Sequence, residues 1–360
     1  VPVRVDQILP NFAWGDAIGN HTLALRDALR RLGFASEIFT HLAHHRLADE
    51  SRFYEEYRAL DGPEHVLLYH YSIGSVITGF LSGLSCRKVL IYHNVTPPEF
   101  FRGVNQRAEW ECRRGRQELA TLPGRVELAL GDSEYNRREL AGMGFPRTGV
   151  LPIFIPFEDY DAPPDRGMLR QLGDAPAVLH VGRFAPNKRI EDLVRTFFFL
   201  RRLEPRARLV LAGTDVNMEN YSGAVREMAR ALGLLPGIVF AGHVTFPQLL
   251  ACYRAAGTYL SMSEHEGFCV PLVESMLMDL PVVAYDSTAV PFTLGGAGIL
   301  LGEKDYPLAA EVVAEVLANG SLRKALAEAG RKRLSTFDRT AREAALGGHL
   351  RTLGLLPHPG

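Results

Sequence analysis

The feature that most limits how this chain can fold is an alternation of short, β-branched apolar runs with longer segments of helical period, interrupted once. Such alternation builds βαβ units, whose crossover helices cover both faces of a parallel sheet. In the first half the expected strands are VRVDQIL, ASEIFT, HVLLYHY, KVLIYHN and VELALGD. Between the first two, GNHTLALRDALRRLG sets Leu23, Leu25, Leu29 and Leu32 on helical spacing, with Gly33 as the stop. Around residues 152–175 the pattern breaks into PIFIPFEDYDAPPDRGMLRQLGDAP, rich in Pro, Asp and Gly, which marks a domain boundary. A second series follows with AVLHVGRF, ARLVLAG, GIVFAGH, TYLSMS, PVVAYD and AGILL. The expectation is two doubly wound α/β domains, 1–156 and 157–336, with ligands in a cleft at the carboxyl edges of their sheets. The last stretch reads as two helices, and the final one, about 337–360, is expected to pack back on the first domain.

Composition narrows the classes. A length of 360 residues suits two domains that each bury a core, and 47% apolar with 22% charged residues is typical of a folded globular chain. Forty basic against forty-one acidic residues leave a formal net charge of -1, so nothing global suggests a nucleic-acid binder. Cys86, Cys112, Cys252 and Cys269 are scattered, without a C-x-x-C pair or zinc-ligand spacing, and are expected to be reduced thiols. The opening VPVRVDQILP lacks the features of a signal peptide, and no window approaches eighteen apolar residues. A cytoplasmic chain is expected, unless a longer precursor was trimmed.

Two stretches carry chemistry. VLHVGRFAPNKRIEDLVRTF is a strand, a Gly-containing turn and a helix, with Arg183 and Lys188 flanking the turn. Arg and Lys at a helix N-terminus suit a diphosphate, because a guanidinium can donate two bonds and the helix dipole adds to the field. Taken alone the signal is weak, since basic residues in turns are usually solvated. In SEHEGFCVPLVES, Glu266 falls in the loop after the strand TYLSMS, Gly267, Phe268 and Cys269 continue the turn, and Glu274 lies near the start of the next helix. A preference of carboxylates for helix N-termini would account for Glu274 tolerably and for Glu266 poorly. The Asp-x-Asp in EDYD, residues 158–161, follows no strand and reads as solvated acid rather than a metal site. The basic run containing Arg102, Arg107, Arg113, Arg114 and Arg116 could meet anionic lipid, but a solvated helical face accounts for it better.

The pairing of GRFAPNKRIEDLV with the E-x7-E element in EHEGFCVPLVE resembles the retaining glycosyltransferases of family 4, which have the GT-B fold of two Rossmann-like domains. The likeness runs through LVLAGT, IVFAGHVTFPQLLACYRAAGTYLSMS and GGAGILL, and touches the first domain at GDSEYNRREL and YHN. The resemblance implies that Arg183 and Lys188 hold the diphosphate of a nucleotide sugar and offset charge on the leaving group. It implies that Glu274 reads the ribose, and that Glu266, with backbone near Gly267, Phe268, Cys269 and Val270, contacts the donor sugar. Gly213, His243 and Val244 join the substrate-binding set by the same likeness. In the first domain it places His93 near the donor sugar and Gly15, Asp16 and Gly19 in the glycine-rich turn after the first strand. Asp16 stands where a second Gly is commoner, so it either faces an acceptor hydroxyl or caps the following helix. The implied activity is transfer of a hexosyl unit from GDP-mannose or a UDP-hexose to a hydroxyl acceptor, with retention, without a metal or other cofactor, and with room for peripheral contact at the inner membrane face. A phosphorylase, a nucleotide-sugar epimerase or a non-enzymatic nucleotide-sugar-binding protein are the rivals; a nicotinamide dehydrogenase is disfavoured because no G-x-G-x-x-G follows the first strand.

Overall fold

The computed structural model describes residues 3–355, which divide into two compact units. The first holds residues 3–98, 107–156 and 336–355, and the second holds 99–106 and 157–335. In chain order the strands of the first unit are β1 (Val5–Phe12), β2 (Ile38–Ala43), β3 (Arg52–Phe53), β4 (Val66–Tyr71), β5 (Arg87–Tyr92), β6 (Leu128–Gly131) and β7 (Thr148–Val150). They form one sheet in the order β3-β2-β1-β4-β5-β6-β7, with parallel pairing throughout. The second unit contributes β8 (Ala177–Val181), β9 (Arg208–Ala212), β10 (Ile238–Gly242), β11 (Thr258–Ser261), β12 (Val282–Tyr285) and β13 (Ile299–Leu301). Their order is β10-β9-β8-β11-β12-β13, again parallel. Each order reverses direction once, between β1 and β4 and between β8 and β11, and such a switch point leaves a crevice at the carboxyl ends of the strands.

Every run expected to be a strand is one. β3 and β7 were not expected, and neither was the helix Arg166–Leu172 inside the Pro- and Gly-rich boundary, where Asp165 accepts from the Met168 N–H at 2.6 Å. The boundary segment is therefore partly ordered structure of the second unit. The final helix, Arg339–Thr352, lies in the first unit: His349 Nε2 is 2.8 Å from the Val150 carbonyl, and Leu346, Leu350 and Leu353 are buried with Val5, Val66, Val89 and Leu128. Residues 356–360, included in the expected helix, lie outside the described residues.

Strand register explains where the first unit turns polar. Parallel partners Gln7 and Leu68, His70 and Ile91, and Ile91 and Leu130 share a face, and side chains alternate along each strand. One face of the sheet therefore carries Val5, Val66, Leu68, Val89, Ile91, Leu128 and Leu130, all buried in one cluster with Leu25, Ala28 and Leu29 of the helix Ala17–Arg31 and Leu346 and Leu350 of the final helix. Toward the carboxyl ends that face continues into Gln7, His70, His93 and Asp132, one from or just beyond each of four neighbouring strands. Burying an apolar strip of this size is the main stabilising contribution. Polar groups at its end must find partners within the protein.

Candidate functional site

In the second unit, neighbouring strands β8 and β11 launch the two motifs. After β8 the chain passes Gly182 and Arg183, makes a short 3-10 turn at Pro186–Lys188, turns through Arg189 with φ of 51°, and enters the helix Ile190–Leu203. After β11 it runs through 262–268 and enters the helix Val270–Leu277 through Cys269, whose φ of 69° is left-handed. The loops are laced together: Asn187 Nδ2 donates to the His265 carbonyl at 3.0 Å, and the Glu264 N–H donates to the Asn187 carbonyl at 2.8 Å. Lys188 Nζ consequently lies 2.7 Å from both carboxylate oxygens of Glu266 although the residues are 78 apart in sequence.

Glu266 is 6% exposed. Burial alone would raise its carboxyl, but the Lys188 ammonium and a hydrogen bond from Ser263 hold it below the ordinary range. Desolvation likewise pulls the Lys188 ammonium down, and the Glu266 charge more than offsets it, leaving the group above its usual value. The pair is thus fully ionised at neutral pH. Arg183, by contrast, is exposed at the end of the β8 turn, with its positive charge felt at Lys188. Two cations and a buried carboxylate at a sheet's carboxyl edge can hold an anionic group beside a polyhydroxyl one.

Glu274 sits on the same helix as Val270 and is buried. Its two oxygens accept from the hydroxyls of Tyr160 at 2.5 Å and Tyr253 at 2.6 Å. Burial raises its carboxyl despite those two bonds. A carboxylate has about four acceptor positions, so two tyrosines orient the group without exhausting it. Neither tyrosine was expected; Tyr160 comes from EDYD, whose Glu158, Asp159 and Asp161 are exposed as the sequence suggested. His180 was also missed. It lies buried on β8, its Nδ1 3.0 Å from the Leu260 carbonyl, and burial lowers its pKa to about 4.

The remaining residues of the expected set in this unit lie around those loops. Gly213, after β9, approaches so closely that an added Cβ would stand 1.8 Å from the Gly182 carbonyl oxygen, and its N–H donates to the Gly242 carbonyl at 2.8 Å. His243 is exposed and Val244 half-buried just beyond β10. Phe268 and Cys269 are buried, and burial drives the Cys269 thiol well above its usual range, so it is a packed, un-ionised group.

In the first unit Gly15 turns the chain with φ of 73°, and Asp16 is the N-cap of the helix Ala17–Arg31, accepting from the Ile18 N–H at 3.2 Å. The open choice for Asp16 is met by its capping role. Gly19 is required by packing: a Cβ there would lie 2.3 Å from the Ala13 carbonyl oxygen. The His93 side chain is 2% exposed, with both ring nitrogens engaged, Nδ1 2.8 Å from Asp132 Oδ2 and Nε2 2.9 Å from His70 Nδ1. Beyond it, His70 Nε2 is 2.9 Å from Gln7 Oε1, and Gln7 Nε2 donates to the Thr22 carbonyl at 3.1 Å. The expected sugar contact of His93 thus has, in this structure, no ring nitrogen left to make it.

His21, His70 and His93 each bring one ring nitrogen within 4.8 Å of the others, a grouping that can suggest a metal. The hydrogen bonds argue otherwise. His21 Nδ1 accepts from the Phe154 N–H at 2.9 Å, so its proton is on Nε2, and the His70–His93 contact uses a lone pair of one ring. A cation here would need ligand lone pairs that are already committed.

The basic run noted in the sequence is largely neutralised. Arg107, Arg113 and Arg114 pair with Glu111, Glu109 and Glu118 four residues away on the helix Gln106–Leu119, and Arg116 pairs with Glu139. All four cysteines are buried and free of disulfides. Among the described residues no helix is long and apolar enough to cross a membrane.

Comparison with known proteins bears on the second unit most directly. Residues 164–333 match the family model described as glycosyl transferases group 1. The chain is 30% identical over 173 residues to mannosylfructose-phosphate synthase of Agrobacterium fabrum, covering 46% of this chain and 36% of that protein. It is 27% identical over 231 residues to the GDP-mannose-dependent alpha-(1-6)-phosphatidylinositol monomannoside mannosyltransferase of Mycolicibacterium smegmatis, covering 60% and 59%. The chain thus spans about a third to three fifths of the length of these curated relatives. Among solved structures, sucrose-phosphate synthase of Thermosynechococcus elongatus aligns over 98% of this chain and 99% of its own with a TM-score of 0.75 at 17% identity. Anabaena HepE in complex with UDP and glucose aligns over 97% and 100% with a TM-score of 0.75 at 15% identity. The chain has the GT-B fold, and its residues 164–333 match the glycosyl transferases group 1 model.

Proposed function

We propose that the protein is a retaining glycosyltransferase of the family 4 type, moving a hexosyl unit from a nucleoside diphosphate sugar to an acceptor hydroxyl. The observation that carries this reading is the gathering of Arg183, Lys188, Glu266 and Glu274 on the loops and helix that follow β8 and β11. These are the adjacent strands of a switch point, within a domain of the matching family. Arg183 and Lys188 bind the diphosphate and stabilise the charge that develops as the anomeric carbon–oxygen bond breaks. Glu274, aimed by Tyr160 and Tyr253, accepts from ribose hydroxyls. Glu266, kept anionic by Lys188, accepts from hydroxyls of the sugar.

Both Glu266 oxygens are tied to the Lys188 ammonium, which leaves acceptor positions for sugar hydroxyls but holds the carboxylate in an ion pair rather than free as a nucleophile, and this favours front-face attack. The acceptor oxygen bonds to the anomeric carbon as the bond to the diphosphate oxygen breaks. The acceptor proton passes to that departing oxygen. Two cations, Lys188 held by Glu266 and Arg183 at the exposed turn, then supply the electrostatic stabilisation for which other enzymes use a metal. GDP-mannose and UDP-hexoses are the donors suggested by the mannosyltransferase relative and by the UDP-bound neighbour. The phosphatidylinositol mannoside in the name of the mannosyltransferase relative suggests a glycan or glycolipid acceptor, and a cytoplasmic site of action is part of the same proposal.

The test is acceptor-dependent release of nucleoside diphosphate from a panel of donors, with the anomeric configuration of the product read by NMR. Transfer with retained configuration that survives EDTA is expected. Abolition by EDTA with rescue by manganese, or inverted product, would overturn the mechanism. Donor consumption that is indifferent to every acceptor would overturn the transferase reading.

A further inference from the structure

The buried polar line in the first unit has one unambiguous end, and that end sets every proton along it. The Thr22 carbonyl can only accept, so Gln7 presents its Nε2–H₂ to Thr22 and its Oε1 to His70. Turning the amide over would set two oxygens against each other. Gln7 Oε1 can also only accept, so His70 carries its proton on Nε2. A neutral His70 then has its lone pair on Nδ1, which must accept from His93 Nε2–H at 2.9 Å. The two ring planes are within 5° of parallel and their centroids are 5.2 Å apart, as far as a 2.9 Å contact between ring nitrogens allows, which is the geometry of an in-plane N–H···N bond. With Nε2 protonated, His93 Nδ1 can meet Asp132 Oδ2 at 2.8 Å in one of two ways: as an imidazolium against a carboxylate, or as a lone pair receiving a proton from a carboxylic acid.

Two observations choose between them. Asp132 is 2% exposed and its other oxygen, Oδ1, is buried without a hydrogen-bond partner. An ionised carboxylate with an unsolvated, unpaired oxygen is far more costly than a neutral carbonyl oxygen in the same place. His21, the other titratable ring against the pair, stands perpendicular to both rings at 5.5 Å and, with Arg342 close enough to act on it electrostatically, is held neutral by its burial. Burial likewise raises the Asp132 carboxyl.

We propose that Asp132, His93, His70 and Gln7 form an electrically neutral chain of hydrogen bonds running in one direction, with Asp132 a protonated acid donating to His93. Neither an amide nor a backbone carbonyl takes up a proton near neutral pH, so the chain ends blind and is a clamp rather than a proton relay. Asp132, His70 and Gln7 are positioning residues for His93. That residue is held as its Nε2–H form with no lone pair free, so it cannot serve as a general base. This inference does not depend on the transfer reaction and is read without substrate.

The experiment is NMR of the full chain with 15N-labelled histidine, following the two-bond correlations that distinguish ring tautomers, together with the side-chain carbon of 13C-labelled aspartate. The expected spectra show His70 and His93 each as a single neutral Nε2–H tautomer and one aspartate in its protonated form at pH 7. Asp132→Asn, whose amide donates to His93 Nδ1 as the acid does, should leave both tautomers unchanged, and Asp132→Leu should lose the single-tautomer signature of His93. An imidazolium signal or an Nδ1–H tautomer for His93 in the wild-type chain would overturn the proposal. So would loss of the three ring patterns on adding one equivalent of zinc, which would mark the cluster as a metal site instead.

Discussion

Removing the Lys188 ammonium should separate the stability of the β8–β11 site from its chemistry. In the wild type its Nζ is 2.7 Å from both oxygens of Glu266, whose side chain is 7% exposed against 21% for the lysine. Lys188→Ala strands that carboxylate in a low-dielectric site, and breaking such a buried pair from one side costs about 3–5 kcal/mol. Because a fifth of the lysine side chain still reaches solvent, the lower end, about 3 kcal/mol, is expected. Lys188→Met combined with Glu266→Gln leaves no buried charge and should fall within about 1 kcal/mol of wild type. The sign with pH follows from Glu266. Its folded pKa lies below the ordinary value of 4.5, so the pair's contribution is present above that value and is lost as pH falls through the folded pKa. The gap between wild type and Lys188→Ala should therefore shrink on acidification. Urea unfolding at pH 7 and pH 4 measures all three proteins. In donor turnover, both altered proteins should fall about a hundredfold, the scale for loss of one preorganised electrostatic partner. A Lys188→Ala protein within about 1 kcal/mol of wild type at pH 7, or a double variant with normal turnover, would refute the reasoning.

Two further outcomes follow from single contacts. Gly19→Ala places a methyl 2.3 Å from the Ala13 carbonyl oxygen and should cost about 1–3 kcal/mol in urea unfolding, whereas Gly15→Ala meets open space and only its φ of 73° opposes it, about 1 kcal/mol. Asp132→Asn should gain stability relative to wild type as pH rises above about 4. A buried acid with a raised folded pKa contributes stability that is fully present below its unfolded value and is lost as pH rises toward the folded pKa, at about 1.4 kcal/mol per pH unit, while the amide has no such dependence. A stability difference between these two proteins that stays flat from pH 4 to pH 8 would contradict it.

The fold was legible because thirteen parallel strands mostly announce themselves by β-branched runs, and the eleven expected are all present. β3 and β7 escaped because two or three residues are too few to show an alternation, and the helix Arg166–Leu172 was masked by the prolines and glycines around it. The acidic and basic residues of the second unit were visible one by one. That Lys188 faces Glu266 was not, because it depends on β8 and β11 being neighbours, a fact of topology. The tyrosines that hold Glu274 come from a segment that reads as linker and from the last turn of an unrelated helix, Phe246–Ala255. Gln7, His70 and Asp132 all lie within or directly after strands identified from the sequence. Their alignment needed the order β1-β4-β5-β6 and the register between those strands, from which simple alternation would have found them.

The central claim, that Arg183, Lys188, Glu266 and Glu274 form a nucleotide-sugar site, is tested most directly by calorimetric titration of the full chain with nucleoside diphosphates and their sugars. The account predicts saturable, metal-free binding of at least one nucleoside diphosphate. It further predicts that Glu274→Gln weakens this affinity by about tenfold, as a charge-assisted bond becomes a neutral one, and that Arg183→Lys weakens it as well because a point charge cannot donate the paired bonds of a guanidinium. Absence of binding across the panel, or full affinity retained in Glu274→Gln, would contradict it.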